Sequence, residues 1–343
     1  MKICSNCVLP ESFPGIRLAS DGVCQHCLAH KGSPVQDEAL KKKYSDKFFR
    51  ALEQIKASRP GYDAVMAYSG GKDSSYILSF LAGQLGLRVL AVTFDHGFVS
   101  PQGSSNIVTI AGKTNVDHIT MRPNREALFR AFRESVIQKP YSLKTLQRAS
   151  SICNTCMYLV KSFLLKTAIE MEIPAIVYGW SPGQIPIQSS VVQLNNSMIR
   201  QTQEALFGTL GKVIGDELRS IMLQERHFEA LETREAKSSY IYNFSPLAFI
   251  DYSEEKIVED LKLLGWVPPK DTDANSTNCL LNSFANHVHQ REYGFHPYAL
   301  EIANLVRGGY MTREAGLAKL NSAPDQGVLA YVRQQLGIKD REC

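Results

Sequence analysis

The sequence predicts an α/β protein built on a doubly wound parallel sheet, with a cysteine-rich metal-binding segment before it and a helical region after it. Three observations predict this. Apolar strand-like runs alternate with helical stretches between residues 62 and 179, which is the pattern of strand-helix-strand crossovers. A glycine turn, Ser69 to Ser75, joins the first apolar run to a helical one. Two Cys-x2-Cys pairs lie ahead of any segment able to build a core of its own.

Taken in order, residues 1–32 are rich in Cys, Pro and Gly and need a cross-link to hold shape. Residues 33–60 form a connecting segment, in which Leu, Tyr, Phe and Ile recur at three- and four-residue intervals over 36–57 and predict an amphipathic helix. The span 61–250 carries the sheet. Strands are expected at 64–68, 88–94, 117–121 and 174–179, with helices near 74–86, 103–114, 124–138 and 157–172. Residues 195–236 read as mostly helical, 240–250 as a further extended segment, and 251–343 as a helical tail. In such a sheet ligands gather beyond the carboxyl ends of the strands. Ser69, the Asp95-His96-Gly97 turn and the Gly179-Trp180-Ser181-Pro182 loop all fall there.

The 343 residues are 44% hydrophobic, enough for a substantial core. A charge of +4, from 38 basic and 34 acidic residues without a long basic run, gives little electrostatic reason to propose nucleic acid, although a local basic patch is compatible with it. No apolar stretch approaches the roughly 20 residues that span a bilayer, and Met1-Lys2-Ile3-Cys4 opens no signal peptide. A cytoplasmic protein is therefore expected. Its eight cysteines are then thiols or metal ligands before they are disulfides.

Adjacent Gly70 and Gly71 let the backbone approach a ligand closely, and the helix start behind them attracts anions. The spacing is not G-x-x-x-x-G-K-[ST]. Ser69-Gly70-Gly71-Lys72-Asp73-Ser74-Ser75 instead resembles the S-G-G-x-D-S loop of the PP-loop ATP pyrophosphatases, whose fold is of the adenine nucleotide α-hydrolase type. In that superfamily the loop grips the pyrophosphate end of ATP while a substrate oxygen attacks the α-phosphorus. The resemblance implies that Ser69, Gly70, Gly71, Ser74 and Ser75 hold pyrophosphate, that Lys72 adds positive charge and that Asp73 positions Mg2+ or orients the loop. It also implies adenine near Thr93, Phe94 and Asp95, with Gly179 lining the same site. A solvated Lys72 is the alternative for that residue. Asp95 and His96 are candidates for the substrate or the ribose, and Trp180 and Gln184 for substrate contacts, against an indole that is simply buried.

Cys4, Cys7, Cys24 and Cys27 have the spacing of a four-cysteine zinc ribbon, with sixteen residues between the pairs. His26 and His30 are bystanders to a site already complete. Cys153 and Cys156 lie at the expected start of a helix over Met157 to Met171, a position that favours thiolate. Cys279 is a third thiol far downstream. Three thiolates suit a four-iron cluster with one open iron. The other readings are zinc completed by His287 or His289, and ordinary or redox-active thiols. Cys343 closes the chain as a free thiol.

The string Cys4-Ser5-Asn6-Cys7-Val8-Leu9-Pro10-Glu11, with Phe13-Pro14-Gly15-Ile16 and Asp21-Gly22-Val23-Cys24-Gln25-His26-Cys27, resembles the start of the N-acetyl sugar amidotransferases of surface-polysaccharide biosynthesis. The likeness continues through the PP-loop, Val92-Thr93-Phe94-Asp95-His96 and Asn115-Val116-Asp117-His118-Ile119. It ends with Glu292-Tyr293-Gly294-Phe295 and Arg307-Gly308-Gly309-Tyr310-Met311-Thr312-Arg313-Glu314, and so covers most of the chain. It implies ATP activation of an acetamido oxygen of a small-molecule or nucleotide-sugar substrate and its replacement by nitrogen from a glutaminase subunit. Homodimerisation is compatible with this reading. The loop Gly179-Trp180-Ser181-Pro182-Gly183-Gln184 departs from that family's acidic loop, so the sugar does not carry over. PP-loop tRNA thiolases also combine zinc ribbons with three cysteines around an iron-sulfur cluster. Sulfur transfer through Cys153, Cys156 and Cys279, to a tRNA base or a small molecule, is therefore the alternative, with a sulfur donor as partner. A zinc-ribbon adaptor that only binds nucleotide is the non-catalytic reading.

Overall fold

The computed structural model describes residues 2–30, 34–58, 61–211, 213–237 and 239–339. Cys343 and the 32/33 boundary lie outside the described residues.

Six strands form one sheet: β1 (Ala64–Ala67), β2 (Val89–Phe94), β3 (Asp117–Met121), β4 (Ala175–Val177), β5 (Val191–Leu194) and β6 (Ile241–Phe244). Their spatial order is β3-β2-β1-β4-β6-β5. All pairings are parallel except β5 with β6. Residues alternate between the two faces. Ala64, Met66, Val89, Ala91, Ala175 and Val177 pack into one core, while Val65, Leu90, Val92 and Ile176 pack into another on the opposite side. Both faces are therefore covered, as parallel strands rich in Val, Ile and Ala require.

Two features depart from the sequence expectation. β3 is an outer strand with largely exposed residues, which is why Asp117 and His118 are tolerated in it. β5 has no counterpart in the sequence reading; it is four residues long, includes Gln193, and forms the antiparallel edge. Short edge strands depend on a neighbour more than on their own apolar pattern.

The chain runs β1 to β3 outward on one side and then returns through β4 on the other side of β1. Adjacent strands thus leave β1 in opposite directions, and a crevice opens beyond their carboxyl ends. The helix Lys72–Ser79 starts in this crevice. A third core joins helices Arg125–Ile137, Ser151–Glu170, Leu280–Tyr293 and Gln326–Leu336 beside it. The C-terminal region is helical, as expected, in five segments from Glu254 to Leu336. Among the described residues no helix is long and apolar enough to cross a membrane.

The N-terminal segment is stapled to the chain's far end. Ser12 Oγ donates to Gly294 O at 2.6 Å, and Phe13 meets Phe295 edge-on at 5.2 Å. Arg313 donates to the carbonyls of Cys4 and Cys7 at 3.0 Å. The segments that carry the family resemblance at the two ends of the chain therefore meet in space.

Candidate active site

The loop after β1 makes the strand-to-helix turn that the sequence predicts. Gly70 takes φ +73°, and a Cβ there would lie 2.5 Å from Ile107 Cγ1 and 2.7 Å from Gly103 O, so only glycine fits. Ser69 Oγ and Ser74 Oγ lie 3.1 Å apart across the turn, and Ser74 Oγ donates to Gly71 O at 3.1 Å. Gly179, just beyond β4, abuts the same helix start. A Cβ on it would approach Ser74 N to 2.9 Å and Asp73 C to 3.0 Å.

A cavity of about 320 Å3 opens here, lined by Ser69, Gly71, Lys72, Asp73 and Ser74, by Thr93 and Phe94, and by Gly179. Trp180 and Gln184 also face it. Gly70, Ser75 and Asp95 are not in its lining. Gly70 O instead accepts the Trp266 indole N–H at 3.0 Å, and Ser75 is fully buried. Asp95 accepts from Gly97 N at 2.9 Å and pairs with Arg122 at 2.6 Å. Trp180 is partly exposed and stacks on Tyr178, while the fully buried tryptophan is Trp266.

Lys72 is not solvated. It is buried, and its Nζ donates to Asp73 Oδ1 at 2.8 Å, Oδ2 at 3.0 Å and Tyr252 Oη at 3.0 Å. Burial works against its charge, but Asp73, Tyr252 and Glu254 outweigh that and hold the ammonium above its ordinary range. The result is a buried Lys72–Asp73 ion pair beside a helix N-terminus whose free N–H groups favour an anion.

Several lining groups come from the C-terminal region and carry no motif that sequence could have read. Thr277 Oγ1 accepts from Lys72 N at 2.9 Å. Glu254 pairs with Lys319 at 2.8 Å. Glu301 accepts from Ser181 Oγ at 2.9 Å, and burial pushes its carboxyl up to about 7. His96 also faces the cavity; burial drives its imidazole down to about 4, and its Nδ1 accepts from Phe98 N.

The helix bearing Cys153 and Cys156 is Ser151–Glu170, six residues longer at its start than expected, because Ser150 Oγ caps it by accepting from Cys153 N at 3.2 Å. Cys279 is delivered by an antiparallel bridge to Val99, with Leu280 N donating to Phe98 O at 2.9 Å. The three thiols pack against one core, and Cys156 reaches the cavity wall. The expectation of thiolates at a helix start is corrected here. Burial raises all three thiols, Cys279 to about 12, because desolvation of the charged form outweighs the hydrogen bonds from Ser150 and Asn282 to Cys153 and from the Leu281 and Asn282 backbone to Cys279. His289 packs instead against Tyr293 and Phe295. Among the described residues, the only group of three or more His, Cys, Asp or Glu whose ligand atoms lie within 4.8 Å of one another is Cys4, Cys7, Cys24 and Cys27.

In that group Cys4 and Cys27 sulfurs are 3.9 Å apart and those of Cys7 and Cys24 3.8 Å. A tetrahedral ion with bonds of about 2.3 Å separates thiolates by about 3.8 Å. Arg307 Nη1 donates to Cys7 Sγ at 3.4 Å and offsets part of the charge that four thiolates bring. His26 and His30 stand outside the set.

No family model matches the chain. It is 22% identical over 318 residues to an uncharacterized protein of Methanocaldococcus jannaschii, covering 92% of each. Among solved structures it is similar to the U34-tRNA thiolase NcsA of Methanococcus maripaludis with its 4Fe-4S cluster, at 12% identity and TM-score 0.36 over 100% of this chain and 90% of that one. It is also similar to an NMN synthetase of Francisella tularensis, at 13% identity and TM-score 0.35 over 87% and 97%. An NH3-dependent NAD synthetase of Campylobacter jejuni matches at 14% identity and TM-score 0.31 over 68% and 97%. What the chain presents is a Ser-Gly-Gly-x-Asp-Ser turn, a buried lysine-aspartate pair and a thiol on one cavity, at the switch point of a parallel sheet.

Proposed function

We propose that this protein is an ATP-dependent enzyme of the PP-loop superfamily that adenylates a carbonyl or amide oxygen and then replaces it. The acceptor oxygen attacks the α-phosphorus, the bond to the β-phosphate breaks, and pyrophosphate leaves into the Ser69–Ser74 turn. The acceptor carbon then takes the incoming atom while its former oxygen departs with AMP. Positioning and charge neutralisation dominate such chemistry. Lys72 and the helix N-terminus meet the charge of the departing pyrophosphate, and Asp73 holds Lys72 in place and would be the carboxylate that holds the Mg2+ accompanying ATP, which would neutralise phosphate charge. Thr93, Phe94 and Gly179 form the wall for the adenosine.

The single observation behind the reading is that the turn, the Lys72–Asp73 pair and Cys156 share one cavity. The same observation favours sulfur as the incoming atom. Cys153, Cys156 and Cys279 are free thiols gathered from two distant parts of the chain onto one core, a soft donor set that suits an iron-sulfur cluster. These three thiols would hold a 4Fe-4S cluster, which would leave one iron open for sulfide chemistry. Nitrogen from a glutaminase partner is the second reading, favoured by the meeting of the chain-terminal segments that resemble the amidotransferases. The four N-terminal cysteines then hold structural zinc in both readings.

Anaerobic purification with iron, sulfide, zinc and visible-absorption analysis tests the choice. About four irons and about one zinc per chain are expected. A colourless protein with zinc alone would overturn the sulfur reading in favour of nitrogen.

A further inference from the structure

One cation on the cavity wall has no role in the chemistry above. Lys161, on the helix Ser151–Glu170 one turn beyond Cys156, lines the cavity and stays reachable by solvent. Its Nζ lies 5.3 Å from the centroid of the Trp180 ring, close enough for the ring to hold the ammonium in place. No carboxylate among the described residues is within ion-pairing distance of it. The second cation nearby is Arg148, whose Nη1 donates to Gln184 O at 3.4 Å, and Gln184 is itself in the cavity lining. Surrounding protein atoms first, and Arg148 after them, hold the Lys161 ammonium below its ordinary range. A cation whose charged neighbour is another cation is relieved by an anion bound close to it.

The proposed pyrophosphate site already has its own cation in Lys72, which is paired with Asp73. From these positions, and resting on the adenylating function above, we infer that Lys161 and Arg148 form an acceptor subsite that binds the phosphate of a phosphorylated nucleoside. Trp180 orients Lys161, and Gln184 orients Arg148. Lys161, Trp180 and Gln184 line the same cavity as the adenylation turn and Cys156, so an acceptor held there shares the space with the activated phosphate and the thiol. A nucleotide sugar and a nucleotide within RNA present the same group.

Titration calorimetry on the full chain saturated with α,β-methylene-ATP separates the two sources, with UDP-N-acetylglucosamine in one arm and total tRNA in the other. The wild type binds in one arm, which identifies the source. Lys161→Gln and Arg148→Gln each weaken that binding roughly ten- to hundredfold, the size of a lost hydrogen bond to a charged group, and leave the analogue's affinity unchanged. Analogue binding with no binding in either arm overturns the subsite alone, as does binding to which both variants are indifferent. If the wild type fails to bind the analogue, the adenylating function falls and the subsite with it.

Discussion

Replacing Gly179 by alanine tests whether the crevice is built as tightly as its chemistry requires. The new Cβ would sit 2.9 Å from Ser74 N and 3.0 Å from both Asp73 C and Ser74 Cα. All three are backbone atoms, so no flexible side chain can swing aside. Comfortable contact needs roughly 3.5–4.0 Å, and the first turn of the helix Lys72–Ser79 or the exit of β4 must therefore retreat by about 0.5–1 Å. Overpacking of this kind costs about 1–3 kcal/mol of stability. The larger effect falls on function, since a displacement of about 1 Å in a positioning element lowers turnover by about 100-fold. Pyrophosphate release measured alongside urea denaturation reports both. Gly112→Ala is the control, because nothing lies within 4 Å of its Cβ and alanine in mid-helix is favourable by roughly 0.5–1 kcal/mol. Pyrophosphate release by Gly179→Ala within about twofold of wild type would refute the claim that the β4 exit and the turn work as one unit.

Lys72→Met should remove most pyrophosphate release and destabilise the fold by about 3 kcal/mol, because the Asp73 carboxylate loses its partner in a largely buried site; urea denaturation showing no loss would mean that the pair does not support the fold. Glu301→Gln should stabilise the protein at pH 8 and not at pH 5. The Glu301 carboxyl sits at about 7 instead of its ordinary 4.5, so the folded state holds the proton more tightly, and wild-type stability falls as pH rises through that window. The glutamine removes a penalty of up to about 3 kcal/mol, and a stability difference that does not grow between pH 5 and pH 8 would contradict the assignment. Cys24→Ser should abolish metal binding at the N-terminal site and speed hydrogen exchange in the helices Ala299–Arg307 and Arg313–Leu320, whose Arg307 and Arg313 grip that site; unchanged exchange there would separate the metal from the C-terminal helices.

Sequence reading was strongest where one short segment carries the whole message. The turn Ser69–Ser74, the strands β1 and β2 and the four N-terminal cysteines are local patterns, and the structure has them where their spacing predicts. It was weaker where contacts join distant parts of the chain. Thr277, Glu254, Glu301 and Lys319 enter the cavity from helices and loops that have no motif of their own, so the region read as a tail proves to wall the site. Lys72 illustrates the same limit. A lysine in a loop is equally at home in water, and Tyr252, 180 residues away, joins neighbouring Asp73 in fixing it inward. The thiols reverse an electrostatic expectation because helix position is visible in sequence whereas burial is not.

Adenylation is decided by which bond of ATP breaks. Wild-type protein purified without oxygen and supplied with Mg2+, α-labelled ATP and either total tRNA or UDP-N-acetylglucosamine should release AMP and pyrophosphate in equal amounts, and Asp73→Asn should release neither. Release of ADP and phosphate, or AMP formation that survives Asp73→Asn, would contradict adenylation at this turn.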